Sequence, residues 1–209
     1  MATITRLADS CVLLSSDSGT TLFDPGFFTF DSGAVDLETI GDVQRVLVTH
    51  EHADHVKPEF VKWLIDRGND VVIHSNQAVA DLLAGHDIEV LTGDLTGVAF
   101  EDVLHETLPT GAQPPNRSYT VDGVLTHPGD SQQISTTASI MALPMMAPWT
   151  SVTNSVAFAR RIAAPQVFPI HDFFMTASGR AFITGMVKNV LAQDGIELIE
   201  LGWGDSLTV

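Results

Sequence analysis

His50-Glu51-His52-Ala53-Asp54-His55 is the stretch on which the reading of this 209-residue chain turns. It follows directly on Arg45-Val46-Leu47-Val48-Thr49, a β-branched run bounded by polar residues, so the cluster begins where a strand ends and sits on a loop. In extended backbone, residues i and i+2 project to one side. His50, His52 and Asp54 can therefore face one space while His55 reaches a neighbouring point, an arrangement that suits two adjacent ions better than one. Three imidazoles and a carboxylate are costly to bury without a positive partner, and histidine is the commonest ligand for zinc-like ions. The plain alternative is an exposed polar loop.

Upstream of the cluster, residues 3–23 alternate apolar and polar positions in short bursts broken at Asp17-Ser18-Gly19, which predicts two or three antiparallel strands. Asp24-Pro25-Gly26 is a turn signal, and periodicity does not place the aromatic patch Phe27, Phe28 and Phe30 that follows. Downstream, Pro58 opens a helix to about Arg67 with Phe60, Val61, Leu64 and Ile65 on one face and Gly68 as its stop. A strand over 71–73 and a helix from Gln77 to Ala84 form a second unit. From about Glu89 to Thr126 short strands return, including 117–121 and 124–126 around the turn Asp122-Gly123. His127-Pro128-Gly129-Asp130 closes a strand as the first cluster does. The last third predicts a helix over 151–163, a strand over 166–170 with His171 at its end, a helix over 177–193 and two closing strands. Each half runs from a strand-rich portion into helix and strand units. The expected class is α/β, two sheets packed face to face with helices outside, in one domain over 1–209.

Hydrophobic residues make up 44% of the chain and charged residues 17%, the profile of a globular protein with much interior. Against 26 Asp and Glu there are only 10 Lys and Arg, a formal charge of -16 with no basic stretch to track a phosphate backbone, so no nucleic-acid partner is expected. Cys11 is the single cysteine, which excludes an intrachain disulfide and fits a reducing compartment. No run approaches the roughly 18 apolar residues of a membrane span, and Met1 to Arg6 lacks the character of a secretion signal. No membrane association and a cytoplasmic location are expected.

His50-Glu51-His52-Ala53-Asp54-His55 matches the H-x-H-x-D-H signature of the metallo-β-lactamase superfamily, which the chain resembles over nearly its whole length. Leu22-Phe23-Asp24-Pro25-Gly26 is similar to the family's strand and D-P-G turn, His127-Pro128-Gly129-Asp130 to its G-D motif, and Pro169-Ile170-His171 to its last ligand. Within the superfamily the chain resembles the L-ascorbate-6-phosphate lactonase-like branch. The resemblance implies a four-layer αβ/βα sandwich and two divalent ions. His50 and His52 would bind one ion with a third histidine; Asp54, His55 and His171 would bind the second; and Asp130 would bridge them. His105, just upstream of Pro114-Pro115-Asn116, is the expected third histidine, with His127 as its rival. A hydroxide shared by the ions would be the nucleophile, because coordination lowers the pKa of water from 15.7 to about 7, and Asp54 or Asp130 could pass the proton on. Two divalent ions, two carboxylates and a hydroxide leave about +1 on formal charges, so a small anionic substrate is expected despite the acidic surface. The implied reaction is cleavage of a small ester, lactone or phosphoester. Histidine and carboxylate ligands suit Zn(II) by default, and Mn(II) or Fe(II) almost as well.

Outside the ligand set, Asp24 either orients a ligand histidine or simply forms the turn before Pro25; Asp172 shares that ambiguity. Asn116, Arg117 and Tyr119 are candidate substrate contacts. Met141, Met145, Met146 and Trp149 suit core packing better than a pocket lining. His74 suits a structural role and His86 a solvated one. One departure from the lactonase-like pattern is Asp9, where many members carry a histidine in the first hairpin. Competing functions are a small-molecule phosphodiesterase and a non-catalytic, metal-stabilised binding module. A homo-oligomer is also possible.

Overall fold

The computed structural model describes residues 1–68 and 70–209. Its strands form two six-stranded sheets. The first runs in the order β12 (Ser206–Thr208), β1 (Thr3–Arg6), β2 (Val12–Ser16), β3 (Gly19–Phe23), β4 (Arg45–Leu47), β5 (Val72–His74). The second runs β11 (Glu197–Leu198), β10 (Gln166–Ile170), β9 (Ile140–Pro144), β8 (Leu125–His127), β7 (Pro115–Val121), β6 (Val98–Leu104). Both are mixed. The pairs β1·β2 and β2·β3 are antiparallel and β3·β4 and β4·β5 parallel, and the second sheet repeats that series over β6 to β10. The two halves thus share a strand plan that the sequence does not show as a repeat.

Three apolar layers hold the sandwich together. Between the sheets lie Ile4, Val12, Leu14, Phe23 and Leu47 from one side and Tyr119, Val121, Leu125, Ile140 and Phe168 from the other. Val46 and Ile73 face outward onto helices α2 (Pro58–Asp66) and α3 (Gln77–Ala84), through Phe60, Val61, Leu64, Val79 and Leu83. On the far side, Met141, Leu143 and Val167 pack under α4 (Val152–Ile162) and α5 (Ala177–Ala192). Helix, sheet, sheet and helix give the four layers expected. The parallel strands alternate between two apolar layers, which is why they read as continuous apolar runs. β9 is buried along its whole length and has no polar face to mark it in the sequence. The aromatic patch that periodicity left unplaced forms a five-residue helix, α1 (Phe27–Asp31).

This topology sets where chemistry can happen. β3, β4 and β5 are parallel, as are β8, β9 and β10, and β6 runs the same way as β8 because both are antiparallel to β7. The carboxyl ends of β3, β4, β6, β8 and β10 carry Asp24, the His50 loop, His105, Asp130 and His171 respectively. Ligand sites of α/β sheets form beyond strand carboxyl ends for this reason.

Candidate metal centre

The His50 to His55 loop is held by its neighbours. Asp24, at φ 47° just past β3, is fully buried; its Oδ1 accepts from the Thr49 amide (2.8 Å) and its Oδ2 from the Thr49 hydroxyl (2.9 Å) and from His55 Nδ1 (2.7 Å). That last bond fixes the tautomer of His55 and leaves Nε2 free. Gly26 packs so closely on the loop that a Cβ there would lie 1.8 Å from the Asp54 carbonyl oxygen. The Ser10 hydroxyl donates to the same carbonyl (3.0 Å). Gly129, at φ 60°, fits against Asn116 and Thr49, where a Cβ would come within 2.3 Å of Asn116 Oδ1.

Seven side chains converge above these supports in two sets, His50, His52, His105 and Asp130 in one and Asp54, His55 and His171 in the other. Asp130, only 2% exposed, stands between them. Its Oδ2 lies 3.1 Å from His105 Nε2 and 3.8 Å from His50 Nε2, while its Oδ1 lies 3.0 Å from His55 Nε2 and 2.7 Å from His171 Nε2. His50 Nε2 is 2.9 Å from His52 Nδ1, and His55 Nε2 is 3.8 Å from Asp54 Oδ2. Ligands at the Zn–N distance of about 2.0–2.1 Å in a tetrahedron sit about 3.3 Å apart, which these separations bracket.

A second observation tests the fit. His55 Nε2, His105 Nε2, His171 Nε2 and Asp130 Oδ1 are buried and lack a hydrogen-bond partner, although they lie close together. Each such buried polar atom costs about 1–3 kcal/mol, and all four are at this one place. Cations among them would offset that cost, so the donor set suits the ions that the sequence implies.

The electrostatics divide along the same line. Burial pushes His50 well below its ordinary pKa of 6.5, and burial with neighbouring His105 and His55 lowers His52. For His55, burial is outweighed by Asp130, Asp24 and Asp54, which hold it well above that value. His171 is raised to about 9 by Asp130 and Asp9 against the opposing effect of burial. Asp130 is driven well below the usual carboxylate range, with His171 and His55 overcoming the penalty of burial.

His105, not His127, joins the first set. His127 is spent elsewhere: its ring stacks on Phe23 at 5.5 Å, its Nε2 donates to the Ser10 carbonyl (2.8 Å) and its Nδ1 accepts from the Gly129 amide (3.2 Å). Asp172 faces away from the ligands into a buried ion pair with Arg6 (2.5 Å). His74 is a structural residue, with its ring nitrogens on the Tyr119 hydroxyl and the Gly93 carbonyl, and His86 is exposed.

The expected substrate contacts are corrected by the structure. Tyr119 has no exposed surface, and its hydroxyl binds the carbonyls of Val48 and His74 between the sheets. Asn116 braces the Asp130 turn, donating to the Pro128 carbonyl (2.9 Å) and accepting from the Asp130 amide (3.0 Å). Arg117 pairs with Asp102 (2.6 Å) and donates to the carbonyls of Ser75 and Thr92. All three side chains are used up by the scaffold. Two further residues border the ligand histidines. Trp149 sets its ring edge-on to His105 (5.6 Å) and His171 (5.7 Å), whereas Met141 and Met145 are core. Asp9, at φ 58°, brings Oδ2 to within 3.5 Å of His171 Nδ1 and accepts from the Phe173 amide through Oδ1. Its odd place in the family pattern was the one signal pointing to it.

Known proteins share the family and the fold of this chain. The family model of the metallo-beta-lactamase superfamily matches residues 4–160. Protein Rv0786c of Mycobacterium tuberculosis is 26% identical, with 91% of this chain and 93% of that protein covered. A Parabacteroides distasonis protein, provisionally assigned as a metal-dependent hydrolase, superposes with a TM-score of 0.75 at 22% identity over 96% of this chain and 92% of its own. Igni18, a metallo hydrolase of the archaeon Ignicoccus hospitalis, does so at 0.73 and 16% over 100% and 98%. With a matching family model over most of its length and the family's ligand pattern gathered at one sandwich edge, the chain belongs to the metallo-β-lactamase superfamily.

Proposed function

We propose that this chain is a hydrolase that holds two divalent metal ions and cleaves a small ester, lactone or phosphoester. The observation that carries the proposal is Asp130, whose two oxygens are shared between two histidine sets (2.7 and 3.0 Å on one side, 3.1 and 3.8 Å on the other). A structural metal site of the usual closed kind needs four ligands around one ion and has no use for that division. His50, His52 and His105 would hold one ion and Asp54, His55 and His171 the other, with Asp130 between. When bound, the ions would supply Lewis acidity and water activated at neutral pH, worth several kcal/mol at the transition state.

The residues divide the remaining work. Both oxygens of Asp130 face histidines, so it has none to spare for a proton. Asp54 is 31% exposed and is the carboxylate that a proton can reach and leave. We assign it the proton transfer, and Asp130 the positioning of the two sets. Asp24 keeps His55 in the tautomer that turns Nε2 inward. Zn(II) is the default ion, with Mn(II) or Fe(II) also suited to these ligands. Lactones enter the substrate range through the resemblance to the lactonase-like branch, and a cytoplasmic site through the single buried thiol of Cys11. Among the described residues no helix is long and apolar enough to cross a membrane.

Metal analysis of purified protein, with turnover of a chromogenic ester, a lactone and a bis-aryl phosphate, tests the proposal. About two equivalents of metal are expected, with turnover of at least one class that Asp54→Asn, assayed in enough added metal to refill the second site it weakens, still slows about 100-fold or more. Two equivalents with no turnover of any class would point to the binding module instead.

A further inference from the structure

The ligands open onto an aromatic surface. The Phe27 amide donates to the Ala53 carbonyl (2.9 Å), which fastens that ring to the metal loop beside Asp54. Phe27 packs on Phe28 at 4.0 Å, Phe28 stacks on Phe173 at 4.1 Å and meets Phe174 edge-on at 5.4 Å. Phe173 and Phe174 follow His171 in the chain, so this wall borders the second ligand set. Phe174 is 74% exposed. Half-buried Trp149 stands edge-on to both His105 and His171, and Met146, three residues before it in the chain, is exposed.

Charge narrows what this surface takes. The segments that flank the ligands, 25–30, 51–54, 106–113, 145–150 and 173–176, contain no lysine or arginine; their charged side chains are Glu51, Asp54 and Glu106. Cations further out are engaged. Lys57 pairs with Asp31, Arg117 with Asp102, and Arg6 and Arg180 with Asp172, Arg180 also lying over the Trp203 ring at 3.8 Å. A phosphate or second carboxylate away from the reacting bond would meet only acids and rings. Flat apolar groups, by contrast, gain from offset or edge contacts with such rings.

We propose that Phe27, Phe174 and Trp149 form a substrate cradle, and that the substrate is an ester or lactone with a flat, uncharged apolar body and not a phosphorylated sugar. This rests on the hydrolase reading above and adds the substrate class. For an aryl lactone, one water is consumed. Its oxygen joins the acyl carbon as the ring C–O bond breaks, one proton goes to the phenolic oxygen and one is released as the carboxylate forms.

The test uses metal-loaded full-length protein and two lactones with their ring-opened acids: dihydrocoumarin with 3-(2-hydroxyphenyl)propanoate, and 6-phosphogluconolactone with 6-phosphogluconate. By calorimetry the aryl acid should bind at least about tenfold tighter than the phosphorylated one. Phe174→Ala and Trp149→Ala should each weaken the aryl acid by about three- to tenfold, with metal content and the phosphorylated acid's affinity unchanged. Tighter binding of 6-phosphogluconate would overturn the cradle. So would a Phe174→Ala protein that binds the aryl acid as before and differs only in sedimenting as a monomer, because the ring would then serve a second copy of the chain. Turnover is read separately: if neither lactone opens and the chromogenic ester and bis-aryl phosphate are also left intact, the hydrolase reading fails, and the binding comparison still decides the cradle.

Discussion

The two ligand sets share Asp130, yet the groups behind their histidines differ in kind. In the first set, His50 Nδ1 meets the Thr49 hydroxyl (3.1 Å) and His105 Nδ1 meets the Glu106 carbonyl (2.5 Å), both neutral. In the second, His55 Nδ1 meets Asp24 (2.7 Å) and His171 Nδ1 meets Asp9 (3.5 Å), both carboxylates. A carboxylate behind an imidazole makes the far nitrogen a stronger base and a stronger ligand, while also making it hold a proton longer. The two sites therefore differ before any ion arrives: one is ready but plain, the other is richer in negative charge and must first give up protons.

Removing the shared residue should abolish the difference altogether. Asp130→Asn takes away a direct ligand from both sets, and since partners behind a ligand already cost 10–100-fold in affinity, both ions should weaken by more than about 100-fold. Metal retained after dialysis is the measure. A variant that keeps one ion tightly and loses the other would show that Asp130 belongs to one site and does not bridge. Asp24→Asn should act on one side only. It removes the charge behind His55 and keeps the shape, so the second ion should weaken by about 10–100-fold while the first stays. Equal loss at both sites would mean that the Thr49 bonds to Asp24 hold the whole loop, and that the contrast is one of scaffolding.

Acidity should separate the sites more gently. Without metal, His171 keeps its proton up to about pH 9, and His55 is likewise raised, so an ion must displace protons throughout the neutral range. Each displaced proton costs about tenfold in affinity per unit of pH, so the second site should lose up to about 100-fold per unit where His171 and His55 are both protonated, whereas His50 and His52, lowered by burial, have no proton to lose until the pH falls below their ordinary 6.5. Competition with a zinc chelator from pH 6.5 to 8.5 should resolve one steep and one flat constant. The metal-free protein carries the opposite sign: a raised histidine stabilises it fully below the unfolded value of 6.5, and that contribution is lost as pH rises through about 9.

The contrast between the sites is also a contrast in legibility. Four of the seven converging side chains lie within the loop His50 to His55, where spacing alone brings them together, and the strands and helices around them follow their patterns closely. His105, Asp130 and His171 come from the ends of three separate strands; periodicity locates the ends but does not say that the two sheets bring them to one edge, and the family resemblance supplied that step. β9 left no alternation because both its faces are buried, and α1 is too short to show a period. Asn116, Arg117 and Tyr119 misled for the opposite reason: they sit beside the ligands in sequence, but polar groups inside a sandwich must find partners, and the nearest were main-chain carbonyls. The neutral groups behind the first set come from residues next in the chain, Thr49 and Glu106, whereas the carboxylates behind the second, Asp24 and Asp9, are tertiary contacts that local sequence does not encode.

Asp9 is the clearest such contact and should give the smallest effect. It reaches the second site from the first hairpin, 164 residues before the Phe173 amide it binds, and its Oδ2 has no other partner. At 3.5 Å its hold on His171 Nδ1 is looser than the 2.7 Å bond from Asp24 to His55, and a contact that long is weakly directed. Asp9→Asn should therefore weaken the second ion by about threefold to tenfold, below the range for Asp24→Asn. Because the amide keeps a polar atom near Nδ1 and loses only the charge, His171 should also give up its proton at a lower pH, which the ring's NMR titration in the metal-free protein reads directly. If Asp9→Asn leaves that titration in place while metal affinity drops, Asp9 acts by holding the Phe173 amide and the backbone of His171, which sits at φ 55° where a side chain other than glycine's needs support. A Glu substitution separates the two, since it restores the charge but, one methylene longer, does not recover the amide bond at the same place.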